Sequence, residues 1–315
     1  MEYREAYNMG KAVLSAASVP DADADARLLL EFVCSTDRNT LLAHGDREVS
    51  REEENAYREL VEKRSRRIPL QHLTGVQDFM GLEFDVNEYV LIPRQDTEIL
   101  VEEVLPQLHD GMRVLDMCTG SGCILISLLH YSNNCEGVGV DVSEEALKVA
   151  ERNAVKLLGE QAVRNRSGEP GKTAGSGEAG ESPELPDMFV GSHVSFVQSD
   201  LFEKVEGKFD LIVSNPPYIE SDVVDTLMPE VRDNEPRLAL DGSEDGLLFY
   251  RRILEECPRY LQGGGMLFFE IGYDQGEAVS RLMEQAGFLQ VMLINDYAGM
   301  DRVVCGTRRF ENMPE

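Results

Sequence analysis

The chain has 315 residues, of which 42% are hydrophobic, enough for one large domain or two ordinary domains with packed cores. Its formal net charge is −28, and this disfavours nucleic acid as a direct partner because binding to a phosphate backbone depends on Lys and Arg. The six cysteines form no C-x-x-C pair or zinc-spaced cluster, which predicts reduced thiols. The charged N-terminus and the lack of a ~20-residue apolar run predict a cytoplasmic protein that neither enters nor crosses a membrane.

Residues 1–70 are predicted to form a helical bundle. One helix follows Pro20 with acidic residues in its first turn, where the helix dipole favours them. Another begins at Ser50 with Glu53 three positions on, the pattern of a capping box. The basic run at 62–67 is interpreted as the polar end of that helix. No chemical motif occurs in this region, so a catalytic role is not expected. Recognition of a partner by the bundle is a hypothesis.

Residues 71–93 change to short alternating runs around Gly81 and Asn87, which predict a β-hairpin that links the bundle to the C-terminal part of the chain. Pro93 ends this segment. Residues 94–315 are predicted to be a separate domain that opens with a helix.

From residue 112 onward, apolar strands alternate with amphipathic helices. Alternation of this kind predicts an α/β domain built on a doubly wound, mostly parallel sheet. The last two strands have no room for a helix between them, so we expect a final hairpin with an antiparallel strand. The seven predicted strands lie at 112–118, 136–142, 194–200, 209–215, 264–272, 289–297 and 301–308.

Residues 159–191 interrupt this alternation with a stretch rich in Gly, Ser, Glu and Pro. Such a composition cannot bury enough apolar surface to order itself. We predict a flexible surface insertion between a helix and the third strand of the sheet.

A glycine-rich turn follows the first strand of the sheet, where Thr119, Gly120, Ser121 and Gly122 come after an acidic strand end. Open α/β sheets bind ligands at the carboxyl ends of their strands, and glycines let a ligand approach the backbone. The turn has neither the Lys-Ser/Thr of a P-loop nor a complete G-x-G-x-x-G. A simple tight turn is the alternative interpretation.

Two further acids end the next strands. Asp141 is placed to accept hydrogen bonds from ribose hydroxyls. Asp200 could accept from an adenine amino group while Leu201 or Phe202 packs on the ring. Each acid alone could be a helix N-cap, but three such strand ends together indicate a ligand that contains adenosine.

This combination resembles the class I S-adenosylmethionine-dependent methyltransferases, whose fold is Rossmann-like, over residues 94–309. The resemblance implies that S-adenosyl-L-methionine is the cofactor and S-adenosyl-L-homocysteine the product, that Asp141 holds the ribose, and that Asp200 and Leu201 contact the adenine. It also implies that the methionine part is wrapped by Cys118, Thr119, Gly120, Ser121 and Gly122.

The sequence Asn215-Pro216-Pro217-Tyr218 follows the fourth strand. A rigid turn is one explanation, since Asn-Pro commonly starts turns. The four residues also resemble the (N/D)PP(Y/F) motif of methyltransferases that act on planar nitrogen. An amide NH₂ has two donors, which the Asn215 side-chain oxygen and the Pro216 carbonyl could accept while Tyr218 packs against the flat group. Because a sulfonium already activates the methyl, no metal is expected.

Four further segments are similar to the HemK/PrmC family, namely 91–105, 235–254, 269–275 and 296–304. This similarity implies methylation of the side-chain amide of the glutamine in the GGQ motif of class 1 peptide chain release factors. It implies that these factors are the protein partner and that the bundle grips them. The pocket mouth would be shaped by Arg94, Thr97, Glu98, Glu235 and Arg237, which could equally be salt-bridged scaffold residues.

The chain departs from the family pattern at Gln95, where Pro is usual, and at Cys118, where Gly is usual. The insertion at 159–191 is also atypical. Two alternatives to a release factor methyltransferase stay open at this point: a methyltransferase acting on exocyclic amines of adenine or guanine in nucleic acid, and a non-catalytic binding protein that keeps the fold.

Overall fold

The structure, a computed structural model, describes residues 1–164 and 191–310. Its helices are α1 Tyr3–Ala16, α2 Ala22–Val33, α3 Arg38–Ala43, α4 Arg51–Ser65, α5 Leu70–Thr74, α6 Glu98–Val104, α7 Cys123–His130, α8 Glu144–Leu158, α9 Ser221–Val224, α10 Pro229–Arg232, α11 Arg237–Leu240, α12 Leu248–Tyr260 and α13 Gly276–Gln285. Its strands are β1 Val76–Phe79, β2 Leu82–Asp85, β3 Arg113–Met117, β4 Glu136–Asp141, β5 His193–Gln198, β6 Phe209–Ser214, β7 Leu261–Glu270, β8 Phe288–Asn295 and β9 Asp301–Arg308.

The chain divides into two compact units. The first comprises Met1–Val76, Val86–Glu88 and Thr226–Glu235, and the second comprises Gln77–Asp85, Tyr89–Asp225 and Pro236–Glu315. A segment from the second half of the sequence therefore belongs to the N-terminal unit. The domain limits expected from the sequence, after residues 70 and 93, stay predictions.

The first unit contains the predicted helical bundle. Helices α1, α2 and α4 bury one apolar face each, and Leu14, Leu29 and Tyr57 are fully buried in the resulting core. The capping box at the start of α4 forms as predicted, with Ser50 N donating to Glu53 Oε2 at 2.8 Å and Glu53 N donating to Ser50 Oγ at 3.2 Å. The two short helices α3 and α5 were not predicted.

A buried ion cluster holds the segment 226–235 within this unit. Arg64 pairs with Asp25 at 2.7 Å and with Glu230 at 3.0 Å, and all three side chains are less than about a tenth exposed. Arg67 also donates to Glu230, from Nε at 2.5 Å and Nη2 at 2.6 Å. Two arginines of the basic run at the end of α4 are therefore neutralised inside the unit.

The predicted hairpin is present as the two-stranded sheet β1–β2. Its turn residues Met80 and Gly81 have φ values of 51° and 72°, and both being positive is what a type I′ turn requires. The Met80 N–H donates to Glu98 at 2.7 Å, and Tyr131 donates to the Met80 carbonyl at 2.6 Å. These bonds tie the hairpin to helices of the second unit.

The second unit is built on a seven-stranded sheet in the order β5-β4-β3-β6-β7-β9-β8. Strands β3 to β7 pair in parallel, whereas β9 pairs antiparallel to both β7 and β8. The doubly wound, mostly parallel sheet and the antiparallel final hairpin are thus confirmed.

Both faces of the sheet are covered by apolar side chains. On β6, Leu211 and Val213 belong to the core on one face, whereas Ile212 belongs to the core on the other. On β7, Phe268 and Phe269 alternate in the same way. Burial on both faces explains why these strands are continuous apolar runs rather than alternating ones.

The predicted insertion at 159–191 lies mostly outside the described residues. Its first residues are described: Glu160–Ala162 form one 3₁₀ turn, and Val163 makes a parallel bridge to Val194 beside the sheet edge. In the described ranges 1–164 and 191–310, no helix combines the length and apolar character needed to cross a membrane.

Candidate active site

Strands β3 and β6 lie side by side at the point where the strand order reverses. The chain leaves β3 toward β4 on one side and later enters β6 on the other, so a crevice opens beyond their carboxyl ends. Met117 on β3 is paired with Ser214 on β6, and the Ser214 hydroxyl donates to the Met117 carbonyl at 2.6 Å. Cys118 and Asn215 are therefore the next residues along two neighbouring strands. The structure brings the glycine-rich turn and the Asn-Pro-Pro-Tyr motif to one place.

The two glycines of the turn have different physical roles. Both have positive φ, 55° at Gly120 and 79° at Gly122. A Cβ on Gly122 would lie 2.7 Å from Ile126 Cδ1, so this glycine lets α7 pack against the turn. A Cβ on Gly120 would meet nothing within 4 Å. The open space beside Gly120 is what close approach of a ligand to the backbone requires.

Asp116, at the end of β3, is a site feature to which the sequence analysis gave no individual role. Its side chain is fully buried, and Thr119 Oγ1 donates to its Oδ2 at 2.6 Å. Its Oδ1 has no partner at hydrogen-bond geometry within the described part of the chain. Burial raises the pKa of Asp116 to about 7 against the opposing effects of the Thr119 hydrogen bond and the Leu125 backbone N–H. A buried carboxylate with one free oxygen is suited to a cationic group of a ligand.

Asp141 fixes the glycine-rich turn from the end of β4. Its Oδ2 accepts from Gly120 N at 2.9 Å, and its Oδ1 accepts from Ser143 N at 2.9 Å. Burial raises the pKa of Asp141 despite these backbone donors. Because each carboxylate oxygen has a second lone pair, the side chain can still accept from a ligand hydroxyl.

The third strand end differs in part from expectation. Asp200 Oδ2 pairs with Arg252 Nη2 at 3.0 Å, so this carboxylate is already engaged by a helix of the unit. Leu201 is 4% exposed and has a positive φ of 46°. Phe202 is fully buried and stacks on Tyr260 with ring centroids 4.6 Å apart. Both side chains belong to the same buried core cluster, so a contact of Leu201 or Phe202 with an adenine ring stays a prediction.

The segment 240–246 runs alongside the Asn-Pro-Pro-Tyr motif. Ile219 N donates to the Leu240 carbonyl at 3.0 Å, and Gly242 N donates to the Ile219 carbonyl at 2.7 Å. A Cβ on Gly242 would lie 2.8 Å from Tyr218 Cα, so only glycine allows this approach.

Gln275 supports the same backbone from another direction. Its Nε2 donates to the Tyr218 carbonyl at 3.0 Å, while its Oε1 accepts from Gly272 N at 3.0 Å. The segments 235–254 and 269–275, which carried much of the family resemblance, therefore share one structural task. They hold the backbone that directly follows the two prolines, through the carbonyls of Tyr218 and Ile219.

Two polar side chains contact the motif itself. Asn215 Nδ2 donates to Thr97 Oγ1 at 3.3 Å, and the Tyr218 hydroxyl donates to Glu270 Oε1 at 3.4 Å. Glu270 is 2% exposed at the end of β7, and burial raises its pKa to about 7. Glu270 was not predicted to be a site residue, although, like Asp141, it is an acid at the end of an apolar strand.

Three of the five residues expected at the pocket mouth have contacts that indicate what they do. Thr97 is buried and contacts Asn215 directly. Glu98 accepts from the hairpin turn, and Arg237 pairs with Asp225 at 2.6 Å and Asp241 at 3.2 Å. Those two are scaffold residues in this structure.

Comparisons with known proteins identify both parts of the chain. Residues 5–75 match the family described as "PrmC N-terminal domain", and residues 108–163 match a methyltransferase domain family. Among solved structures, the hMettl16 catalytic domain superposes with a TM-score of 0.53 at 13% identity, covering 79% of this chain and 83% of that one. A protein-(glutamine-N5) methyltransferase from Alicyclobacillus acidocaldarius is 28% identical over 72% of this chain and 99% of its own, with a TM-score of 0.37.

The sheet order and the strand-end motifs define a methyltransferase with the class I fold. Full-length relatives specify it further. The release factor glutamine methyltransferase of Caulobacter vibrioides is 38% identical and covers 96% of each chain. That of Geobacter sulfurreducens is 37% identical, covering 96% of this chain and 95% of its own. The chain belongs to the release factor glutamine methyltransferase family.

Proposed function

We propose that this protein transfers a methyl group from S-adenosylmethionine to the side-chain amide nitrogen of the glutamine in the GGQ motif of class 1 peptide chain release factors. The observation that carries the proposal is the position of Asn215. It directly follows a strand residue paired with the end of β3, beside the glycine-rich turn, on a backbone held by two other segments. Two relatives over nearly the whole chain are release factor glutamine methyltransferases.

The described residues fit S-adenosylmethionine. The free oxygen of buried Asp116 suits the ammonium of the methionine part, and the open space at Gly120 admits the ligand to the backbone. The rest of the surface that contacts the methionine part would be formed by Cys118, Thr119, Ser121 and Gly122. When bound, the molecule supplies a methyl group activated by a sulfonium.

We assign the adenosine part to the next two strand ends. Asp141 would hold the ribose. Its carboxylate accepts from the Gly120 amide, and Gly120 belongs to the turn that would contact the ligand. Asp200 and Leu201 would border the adenine, with Arg252 holding the Asp200 carboxylate in one orientation.

The substrate amide is a weak nucleophile because its lone pair is delocalised, so its geometry matters. Asn215 Oδ1 and the Pro216 carbonyl would each accept one N–H of the glutamine amide, while the Tyr218 ring packs against its flat face. Pro216 and Pro217 fix φ, which limits how far the carbonyl can turn. Such positioning can lower a barrier by up to ~7–11 kcal/mol, well above the ~1 kcal/mol of each hydrogen bond. We propose that no metal takes part, because the methyl needs no further activation.

The partner is proposed to be the release factor itself. The first unit, which includes the region matched to the PrmC N-terminal domain, would recognise it. The net charge of −28 suits a protein substrate better than a phosphate backbone, which needs Lys and Arg. Translation termination takes place in the cytoplasm, where we accordingly place the protein.

Asn215→Ala tests the proposal. The change removes an acceptor for the substrate but no proposed contact with the methyl donor. We expect titration calorimetry to show S-adenosylmethionine bound within about threefold of wild-type affinity, and methyl transfer to a release factor to fall by at least ~100-fold. Asn133→Ala, an exposed residue in the loop before the amino end of β4, is the matched control and should transfer at the wild-type rate. Wild-type turnover by Asn215→Ala would exclude the proposed role of Asn215.

A further inference from the structure

We propose that Thr97 and Glu270 are positioning residues that decide which end of the Asn215 amide faces the substrate. This inference rests on the proposed function, since it concerns the group that would accept the glutamine N–H. Neither residue would touch the reacting atoms. They would act through Asn215.

The three side chains form a chain of hydrogen bonds within the second unit. Asn215 Nδ2 donates to Thr97 Oγ1 at 3.3 Å. A hydrogen bond from the Thr97 hydroxyl to the Glu270 carboxylate opposes the effect of burial on the Glu270 pKa, while Glu270 Oε2 has no partner at hydrogen-bond geometry within the described residues. Thr97 and Glu270 are each 2% exposed, so bulk water does not compete for these groups.

The carboxylate at one end gives this series of hydrogen bonds a direction. An ionised carboxylate can only accept, so the single Thr97 hydroxyl proton is directed to Glu270. The Thr97 oxygen then offers only lone pairs to Asn215. Asn215 must therefore turn its NH₂ toward Thr97, and its Oδ1 faces the opposite way. A protonated Glu270 could instead donate to the Thr97 oxygen, so the ionised form is the one that fixes this direction.

The hydrogen bonds to Thr97 matter because the shape of the Asn215 side chain alone does not select one orientation of its amide. The oxygen and the NH₂ of a carboxamide are nearly equal in size, and only hydrogen bonding distinguishes the two orientations. A flipped Asn215 would present N–H groups to the N–H groups of the substrate amide. Two donors cannot bond to each other, so the flipped form would not hold the glutamine for transfer.

Other contacts hold Glu270 in this position. The Tyr218 hydroxyl donates to its Oε1 at 3.4 Å, which links the carboxylate to the motif a second time. The nearby positive charge of Arg302 favours its ionised form. Arg302 is itself held by Asp96 at 3.2 Å and Asp296 at 3.1 Å.

Thr97→Val keeps the shape of the side chain and removes the hydroxyl. We expect kcat for release factor methylation to fall roughly 10- to 100-fold, while KM and S-adenosylmethionine affinity change less than about threefold. Thr97→Ser restores the hydroxyl and should recover most of kcat. Thr307→Val is the matched control: it lies on β9 opposite Met266, at the far end of the strand pair from Glu270, and should match wild type. A wild-type kcat in Thr97→Val would overturn the inference.

Glu270→Gln supplies an independent test and decides the matter if Thr97→Val fails to fold in a thermal melt. A glutamine can donate to the Thr97 oxygen, which frees the Thr97 proton to turn toward Asn215 and so allows the flipped amide. We expect kcat to fall at least about 10-fold with unchanged cofactor affinity. An unchanged kcat would contradict a directional role. The proposed function is tested by a different result: it would be contradicted if the wild-type protein methylated no release factor.

Discussion

At the scale of single residues, Cys118 shows how the ligand-binding turn constrains the backbone. Its φ is 64°, in the left-handed region that costs an ordinary residue roughly 1–2 kcal/mol and costs glycine little. With the backbone turned in this way after β3, the Gly120 amide reaches Asp141. This left-handed backbone conformation explains why glycine is usual at this position in the family.

This strain gives a stability prediction. Cys118→Gly should be more stable than Cys118→Ala by about 1 kcal/mol, because both remove the thiol but only glycine relieves the conformation. The free energy of unfolding of both variants, measured by chemical denaturation, checks it. If the alanine variant is as stable as the glycine variant, the backbone at residue 118 is not strained as described.

The single residues also show where sequence analysis succeeds. Asp141 and Asn215 were recognisable because each is polar and directly follows an apolar strand. The contact between Thr97 and Asn215 spans 118 positions of sequence, so no local sequence pattern predicts it. The stacking of Phe202 on Tyr260 was equally invisible, because the two residues are 58 positions apart.

At the scale of elements, periodicity predicts long helices and buried strands well and short ones poorly. The strands of the large sheet were all anticipated, since burial on both faces makes each an apolar run. Helices α9, α10 and α11 were not anticipated. Each has four residues, about one turn, which is too short to show a helical repeat.

Helix α4 offers an element-scale prediction. Arg64 is buried between Asp25 and Glu230, so Arg64→Met would leave the buried Asp25 carboxylate without its partner and leave Glu230 with Arg67 alone. Burial already raises the pKa of Asp25, and the Arg64 hydrogen bond opposes this. We expect the free energy of unfolding of the first unit to fall by ~3–5 kcal/mol.

Arg66→Met is the matched control on the same helix. Arg66 pairs with Glu62 at the surface, where both side chains are about two-thirds exposed, and such pairs contribute only about 0–1 kcal/mol. Urea denaturation of the two variants compares them directly. Equal stability of Arg64→Met and Arg66→Met would mean that the ion cluster does not hold α4 and the segment 226–235 together.

At the scale of the whole molecule, the assignment of segments to units was not available from the sequence. Residues 226–235 follow Tyr218 by only eight positions, and yet they belong to the N-terminal unit. No composition change marks the crossing, because its basis is a set of ion pairs between residues more than 160 positions apart. The mostly parallel pairing of the sheet, in contrast, follows from the alternation of strands and helices along the chain.

The central claim is that the crevice beyond β3 and β6 methylates a glutamine amide of a release factor. Peptide mass spectrometry of a purified class 1 release factor, incubated with this protein and S-adenosylmethionine, tests it most directly. We predict one added methyl, located on the side-chain nitrogen of the GGQ glutamine, and none when Asn215→Ala replaces the wild-type protein. A methyl on another residue, or an unmodified release factor beside a methylated nucleic acid, would contradict the account.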